Sequence, residues 1–201
     1  MMWRRALRVL HLSLLAALVS ATPACEEREP PPKLGHVPGF ELVAQNGEAF
    51  RGEDMEGHVW IVDFIFTSCV TYCPRMTERM KSLRGELEGE GVRYLSVSVD
   101  PEHDTPEVLR AYAEKHGATG GDWTFVTGDT AEVSRAVVQG FKTPMGEPVP
   151  LDEGDGYDIL HARHFLLVDR GRRIRGYYRT DEEGLEQLVE DARHLAGEPS
   201  A

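Results

Sequence analysis

The 201-residue sequence has few cysteines, a shortage of basic residues and no internal repeat. It contains three cysteines, Cys25, Cys69 and Cys73, so at most one disulfide can form within the chain. Its 22 basic side chains stand against 34 acidic ones, which gives a formal net charge of −12. This imbalance argues against nucleic acid or an anionic lipid surface as a partner. It fits a cation, a basic protein face, or solubility alone.

The sequence also lacks an apolar run long enough for a membrane-spanning helix, which needs roughly 18 residues. The apolar stretch at 9–19 is shorter and is interrupted by a histidine and a serine. Three arginines precede it and small residues follow it, which is the layout of a secretory signal. We therefore expect residues 1–24 to be a signal peptide, with an uncleaved anchor as the alternative. In both cases the rest of the chain is exported.

A cysteine directly after this segment suggests a lipid anchor. Cys25 resembles the acylated mature N-terminus of a bacterial lipoprotein, and its lipidation would leave Cys69 and Cys73 as a single pair. Without the lipid, Cys25 would be an unpaired thiol in an exported protein. Residues 25–35 would then be a lipidated N-terminus and proline-rich tether. Residues 36–197 would form one domain, held at the periplasmic side of a bacterial membrane.

Strand-like and helix-like segments alternate along this domain. The predicted strands are 40–43, 48–50, 59–66, 92–99, 123–126, 165–168 and 174–178. The predicted helices begin near 73, 105 and 130, and a final helix carries the apolar residues between 185 and 195. In the helix that Thr105 caps, we expect Val108, Leu109 and Tyr112 to face the core. The element order predicts an α/β, thioredoxin-like fold: a central mixed sheet flanked by helices, with an N-terminal hairpin and an inserted β-α element.

Cys69 and Cys73 lie where the strand 59–66 gives way to a predicted helix. Backbone N–H groups and the dipole at a helix N-terminus stabilise a thiolate, which makes the sulfur a better ligand and nucleophile. Two such thiols can close a disulfide, exchange one with a partner, or bind a soft metal ion. A disulfide closing so short a loop would stabilise the fold little. A reactive role is therefore favoured over a structural one.

A metal held by two thiolates needs a third ligand, and imidazole is the usual partner for copper. Among the eight histidines, His161 and His164 lead into the strand 165–168. In a thioredoxin-like fold, the loop before this strand lies against the redox cysteines and usually carries a proline. No proline occurs between Pro150 and Pro199, and His161 stands in that place. Taken alone, His161 is either a ligand or an ordinary polar residue, whereas His164 is expected to be structural.

Four segments carry a resemblance to the Sco/SenC family of copper-binding, thioredoxin-like proteins of cytochrome c oxidase assembly. They are FTSC…CPRM at 66–76, SVSVDPEHDTP at 96–106, WTFVTG at 123–128 and HARHFLLVD at 161–169. The resemblance implies that Cys69, Cys73 and His161 bind a copper ion as Cu(I) or Cu(II). Many family members have a proline where this chain has Val70. An aspartate commonly precedes their histidine, and Leu160 here removes a carboxylate that would support it.

Two functions would use the same residues. The first is a metallochaperone that takes copper from an upstream donor and delivers it to the binuclear centre in the copper-binding subunit of cytochrome c oxidase. The second is a thiol-disulfide reductase that keeps the oxidase's copper-ligand cysteines reduced, with Cys69 as nucleophile and Cys73 resolving. A third reading, an exported domain with a structural Cys69–Cys73 disulfide, has little support. Asp100 is expected to cap the turn that follows it, with an effect on the local electrostatics as the alternative role.

Overall fold

The computed structural model describes residues 29–69, 72–151 and 156–198. The predicted signal peptide, Cys25 and Val70 lie outside these residues. The strands within them are β1 Gly35–His36, β2 Glu41–Ala44, β3 Ala49–Arg51, β4 Val59–Ile65, β5 Val92–Ser98, β6 Trp123–Thr127, β7 Met145–Pro150, β8 Tyr157–His161, β9 Phe165–Val168 and β10 Arg173–Tyr178. The helices are α1 Cys73–Glu86, α2 Pro106–Lys115, α3 Thr130–Ser134, which continues as a π-helical turn, and α4 Glu182–Gly197.

Eight strands form one mixed sheet in the order β1-β10-β9-β4-β5-β6-β2-β3. Strands β4, β5 and β6 run parallel, whereas β9 runs antiparallel to β4 and β10 antiparallel to β9. The predicted N-terminal hairpin is β2–β3, and the inserted β-α element is β6 with α3. Every residue of β4 is buried, as its nearly continuous apolar sequence predicts.

Helix α2 begins as predicted, with the Thr105 hydroxyl accepting the N–H of Val108 and Pro106 in the first turn. Leu109 and Tyr112 are buried, but Val108 is 37% exposed, so the prediction that Val108 faces the core was wrong. Successive helical residues lie about 100° apart. Because Leu109 and Tyr112 face the sheet, Val108 lies about 100° away from Leu109 around the helix and is turned toward solvent.

Strands β7 and β8 form a separate two-stranded antiparallel hairpin that the sequence did not predict. Its first strand contains Pro148 and Pro150, which lack N–H donors and normally argue against a strand. The second strand alternates in burial: Ile159 and His161 are buried, while Leu160 is 69% exposed. Because side chains alternate along a strand, this register points His161 into the protein.

The segment before His36 makes fixed contacts with the domain. The Arg175 guanidinium donates to the carbonyl oxygens of Pro31 and Pro32 and forms a buried ion pair with Asp169 at 2.8 Å. Burial alone would raise the pKa of Asp169, but hydrogen bonds from Arg173 and Arg175 outweigh it and hold the pKa below its usual value. The proline-rich segment is thus anchored to the sheet at Pro31.

Strand β4 carries one carboxyl group, that of Asp63, inside the protein. Burial raises the pKa of Asp63 to about 7, and the Ser96 hydroxyl on β5 opposes this shift without cancelling it. In the unfolded chain the pKa of an aspartate is about 3.9. Between pH values of about 4 and about 7, Asp63 is therefore protonated in the folded state and ionised in the unfolded state. Stability falls as the pH rises from about 4 to about 7 and then levels off.

Asp63→Asn should remove this loss. We expect the substitution to raise the free energy of unfolding at pH 8 relative to its effect at pH 4, by up to about 4 kcal/mol. Urea unfolding at the two pH values measures the difference. The exposed carboxylate variant Glu88→Gln is the control and should change stability little. The same effect of Asp63→Asn at both pH values would contradict a buried, protonated Asp63.

Candidate metal centre

The two cysteines lie on either side of the junction between β4 and α1. Cys73 is the first residue of α1, and Pro74 follows it in the first turn. The Cys73 N–H donates to Cys69 Sγ at 3.4 Å, and the Phe66 N–H donates to Cys73 Sγ at 3.5 Å. Both residues are buried and neither is in a disulfide. These backbone donors favour negative charge on the sulfurs.

The two sulfurs are not equivalent. A hydrogen bond between the side chains of Cys73 and Cys69, together with burial, raises the pKa of the Cys73 thiol well above its ordinary value. The negative charge of Asp63 acts in the same direction. Cys73 is fully buried, whereas Cys69 is 9% exposed. Cys73 therefore keeps its proton in the metal-free protein, and a metal ion that binds it must displace that proton.

His161 faces the cysteines with its lone pair. Its Nδ1 lies 2.6 Å from the carbonyl oxygen of Ile159, and its Nε2 lies 3.9 Å from Cys73 Sγ. A carbonyl only accepts hydrogen bonds, so the ring proton is assigned to Nδ1 and Nε2 is left to bind a metal. Leu160 points outward and offers no carboxylate, and the Ile159 carbonyl oxygen supports the imidazole instead.

Cys69 and His161 line the same cleft, which has a volume of about 350 Å³ and also includes Tyr72, Tyr157 and Arg163. Metal–sulfur and metal–nitrogen bonds of about 2.3 and 2.0 Å, of the kind zinc makes, would place two ligands at 120° about 3.7 Å apart. The 3.9 Å between Cys73 Sγ and His161 Nε2 is close to this spacing. Residues 29–69, 72–151 and 156–198 hold no ready cluster of three acidic, cysteine or histidine ligands. The donor set of two thiols and an imidazole nevertheless suits a soft ion such as copper.

Asp104 holds the cysteine side of the cleft in place. Its fully buried carboxylate accepts the Thr67 N–H at 3.1 Å, the Thr67 hydroxyl at 2.5 Å and the Ser98 hydroxyl at 2.6 Å. Burial raises its pKa. It therefore connects the end of β5 to the loop that leads into Cys69. The sequence placed Asp104 in a family-like segment without showing this role.

Asp100 connects the histidine hairpin to the same region. Its carboxylate lies 2.9 Å from His103 Nδ1 and accepts the Tyr157 hydroxyl on β8. The backbone carbonyl of Asp100, and not its side chain, accepts the N–H groups of His103 and Asp104. The expectation that the Asp100 side chain caps this turn was therefore wrong. Tyr157 stacks on Phe66, whose ring also packs edge-on against His161.

His164 lies apart from this arrangement. Its ring packs edge-on against Tyr177, at 5.2 Å between centroids, and it does not line the cleft. Burial lowers its pKa, which favours a neutral ring. These contacts suit the structural role expected for His164.

Residues 28–197 match the family described as SCO1/SenC. The chain belongs to the SCO1/SenC family. A SCO1 protein homolog of Bacillus subtilis is 31% identical over 160 residues, covering 78% of this chain and 81% of the relative. A protein of Stutzerimonas stutzeri, provisionally named as copper-binding, is 31% identical over 165 residues, covering 79% and 77% of the two chains.

Solved structures confirm the thioredoxin-like Sco fold. BsSco, described as a member of the Sco family of cytochrome c oxidase assembly proteins with a disulfide switch, has a TM-score of 0.70 and 31% identity, covering 85% of this chain and 98% of its own. A SCO1/SenC family lipoprotein from Bacillus anthracis has a TM-score of 0.72 and 28% identity, with coverages of 83% and 97%. Bradyrhizobium japonicum ScoI, solved with copper bound, shares the fold at a TM-score of 0.67 and 23% identity, with coverages of 80% and 99%.

Asp104→Asn should loosen the loop that leads into Cys69, on the cysteine side of the cleft. The new NH₂ group would face the donors of Thr67 or Ser98, and we expect a loss of about 3 kcal/mol in the free energy of unfolding. Cys69 should also react faster with iodoacetamide in the reduced protein. The control is Glu107→Gln, an exposed carboxylate on α2, which should stay within about 0.5 kcal/mol. Equal stability of the two variants would contradict the anchoring role of Asp104.

Proposed function

We propose that this protein is a copper metallochaperone that binds Cu(I) or Cu(II) through Cys69, Cys73 and His161. The observation that carries the proposal is the approach of His161 Nε2 to Cys73 Sγ, at 3.9 Å, in a cleft that Cys69 also lines. Family membership and the copper-bound relative support copper as the ion. The recipient would be the binuclear copper centre of cytochrome c oxidase, since BsSco belongs to a family of oxidase assembly proteins.

The geometry suggests an order of ligand exchange. Copper would meet Cys69 first, because this sulfur lies at the cleft while Cys73 is fully buried. Binding to Cys73 releases a proton, since the raised pKa of that thiol keeps it protonated in the metal-free protein. His161 would bind through Nε2, because Nδ1 is held by the Ile159 carbonyl oxygen. In transfer, Cys69 would also be the first ligand that an acceptor reaches and displaces, because it is the more accessible of the two sulfurs.

We also propose that the protein works at the periplasmic side of a bacterial membrane. In this proposal residues 1–24 direct export, Cys25 carries the lipid, and residues 25–35 connect it to the domain at 36–197. An upstream protein would supply the copper. The lipoprotein relative from Bacillus anthracis supports the anchor. No helix in the described part of the chain is long and apolar enough to cross a membrane. Acyl mass on a mature N-terminal peptide starting at Cys25 tests this, and an unmodified N-terminus would exclude it.

Thiol-disulfide exchange is the second candidate function. A more accessible Cys69 beside a protonated, buried Cys73 is also the arrangement of an attacking and a resolving thiol. The disulfide switch named for BsSco favours the same chemistry at a Cys69–Cys73 disulfide. In this function the protein would reduce the copper-ligand cysteines of the oxidase, and the imidazole of His161 would not be needed as a ligand.

Substitution of the three ligands tests the chaperone function. Cys69→Ser, Cys73→Ser and His161→Ala should each weaken copper binding at least about tenfold, because each removes a bond to the ion. In the two serine variants, the thiolate-to-Cu(II) charge-transfer absorption should also weaken and shift when the reduced protein receives one equivalent of copper without oxygen, because one of the two thiolates is gone. His36→Ala, an exposed histidine on β1, is the matched control and should bind copper normally. Unchanged affinity in the three ligand variants would contradict the proposal.

A reductase assay separates the two functions. The metal-free, reduced protein is mixed with an oxidised peptide that carries the oxidase's copper-ligand cysteines, and peptide thiols are counted over time. For a chaperone, we expect reduction to be slow and His161→Ala to affect copper binding alone. Fast reduction that survives His161→Ala would favour the reductase function instead.

A further inference from the structure

A stacked pair of side chains spans the mouth of the cleft. The guanidinium carbon of Arg163 lies 3.7 Å from the centroid of the Tyr72 ring, which is close for a cation–π contact. Both residues line the cleft, and both are partly open to solvent, with Tyr72 44% exposed and the Arg163 side chain 45% exposed. We call this pair the Arg163–Tyr72 clasp.

The clasp joins the two walls that carry the candidate ligands. Tyr72 immediately precedes Cys73 on the α1 wall, and Arg163 follows His161 by two residues on the hairpin wall. The same two walls approach at depth, where Cys73 Sγ and His161 Nε2 lie 3.9 Å apart. Asp158 on β8 lies 3.6 Å from Arg163 Nη2 and draws the guanidinium toward the hairpin. Two contacts therefore bridge the cleft: the approach of Cys73 to His161 inside it, and the Arg163–Tyr72 clasp at its mouth.

We propose that the Arg163–Tyr72 clasp is a positioning element that holds the cleft closed, and so controls access to Cys69 and the release of copper. The attraction arises between the positive guanidinium and the negative face of the ring, and it is lost when the walls separate. Neither side chain is a ligand, so the clasp acts on the rate of opening and leaves the metal's bonding unchanged. Its effect on copper rests on the proposed function, whereas its effect on Cys69 access does not.

A double-mutant cycle with two readouts tests the clasp. The variants are Arg163→Gln, Tyr72→Leu and both together, where leucine keeps apolar bulk without a ring face. One readout is the alkylation rate of Cys69 by iodoacetamide in the metal-free, reduced protein. The other is the rate at which a Cu(I) chelator removes copper from the loaded protein. Each single variant should raise both rates about three- to tenfold, the scale of a partly exposed cation–π contact.

Comparing the rates of the single and double variants shows whether Arg163 and Tyr72 act through their mutual contact. The double variant should be no faster than the faster single variant, because either change alone already breaks the contact. Tyr72→Phe should behave as the wild type, and Arg163→Lys should lie between. Arg93→Gln, which removes the longer 5.8 Å contact of Arg93 with Trp60, should leave both rates unchanged.

Three results would overturn the clasp. They are unchanged rates in the single variants, effects that multiply in the double variant, and charge-transfer bands that move in Arg163→Gln. The last would show that Arg163 acts directly on the copper ligands. If the wild-type protein fails to bind copper but the variants show the expected alkylation rates, the chaperone function is rejected and the clasp is still supported.

Discussion

The approach of Cys73 Sγ to His161 Nε2 is the contact on which the site depends, and it holds together parts of the chain that are far apart in sequence. One side is set by the start of α1, where Phe66 N–H fixes the sulfur. The other is set by β8, where the Ile159 carbonyl fixes the imidazole. Neither group could turn away without leaving a buried polar atom without its partner. The contact is thus a consequence of how the β4–α1 junction and the hairpin pack.

Buried carboxylates keep this geometry in place. Asp104 binds the loop before Cys69, and Asp100 reaches the hairpin through Tyr157. Burying such groups is costly unless donors satisfy them, and these two have several. Asp63 in β4 has less support, and burial raises its pKa to about 7. Polar groups placed inside a core at the expense of stability are typical of functional sites.

The raised pKa of Cys73 links copper binding to proton release. A thiol that holds its proton makes copper compete with that proton, which weakens binding at a given pH. In the proposed chaperone function this limit on affinity would be useful, because an acceptor then has less binding free energy to overcome. The difference in exposure between Cys69 and Cys73 adds an order to the exchange.

The sequence predicted the central sheet because the apolar run of β4 and the capped start of α2 are strong local signals. His161 could be placed near the cysteines because it stands where a proline was expected. The Stutzerimonas stutzeri relative, provisionally named as copper-binding, supports the ion that the sequence suggested. The hairpin was missed because Pro148 and Pro150 argue against a strand. The roles of Asp104 and Arg163 depend on distant partners, Thr67 and Tyr72, and local patterns do not contain such pairings.

X-ray absorption of the copper-loaded, reduced protein tests the central claim most directly, because it counts the atoms bonded to the metal. Two sulfurs and one nitrogen in the first shell of Cu(I) are the expected result, since the proposed ligands Cys69, Cys73 and His161 would supply those atoms. A shell of nitrogen and oxygen alone, or one with a single sulfur, would contradict a copper site shared by the cysteine pair and the histidine hairpin.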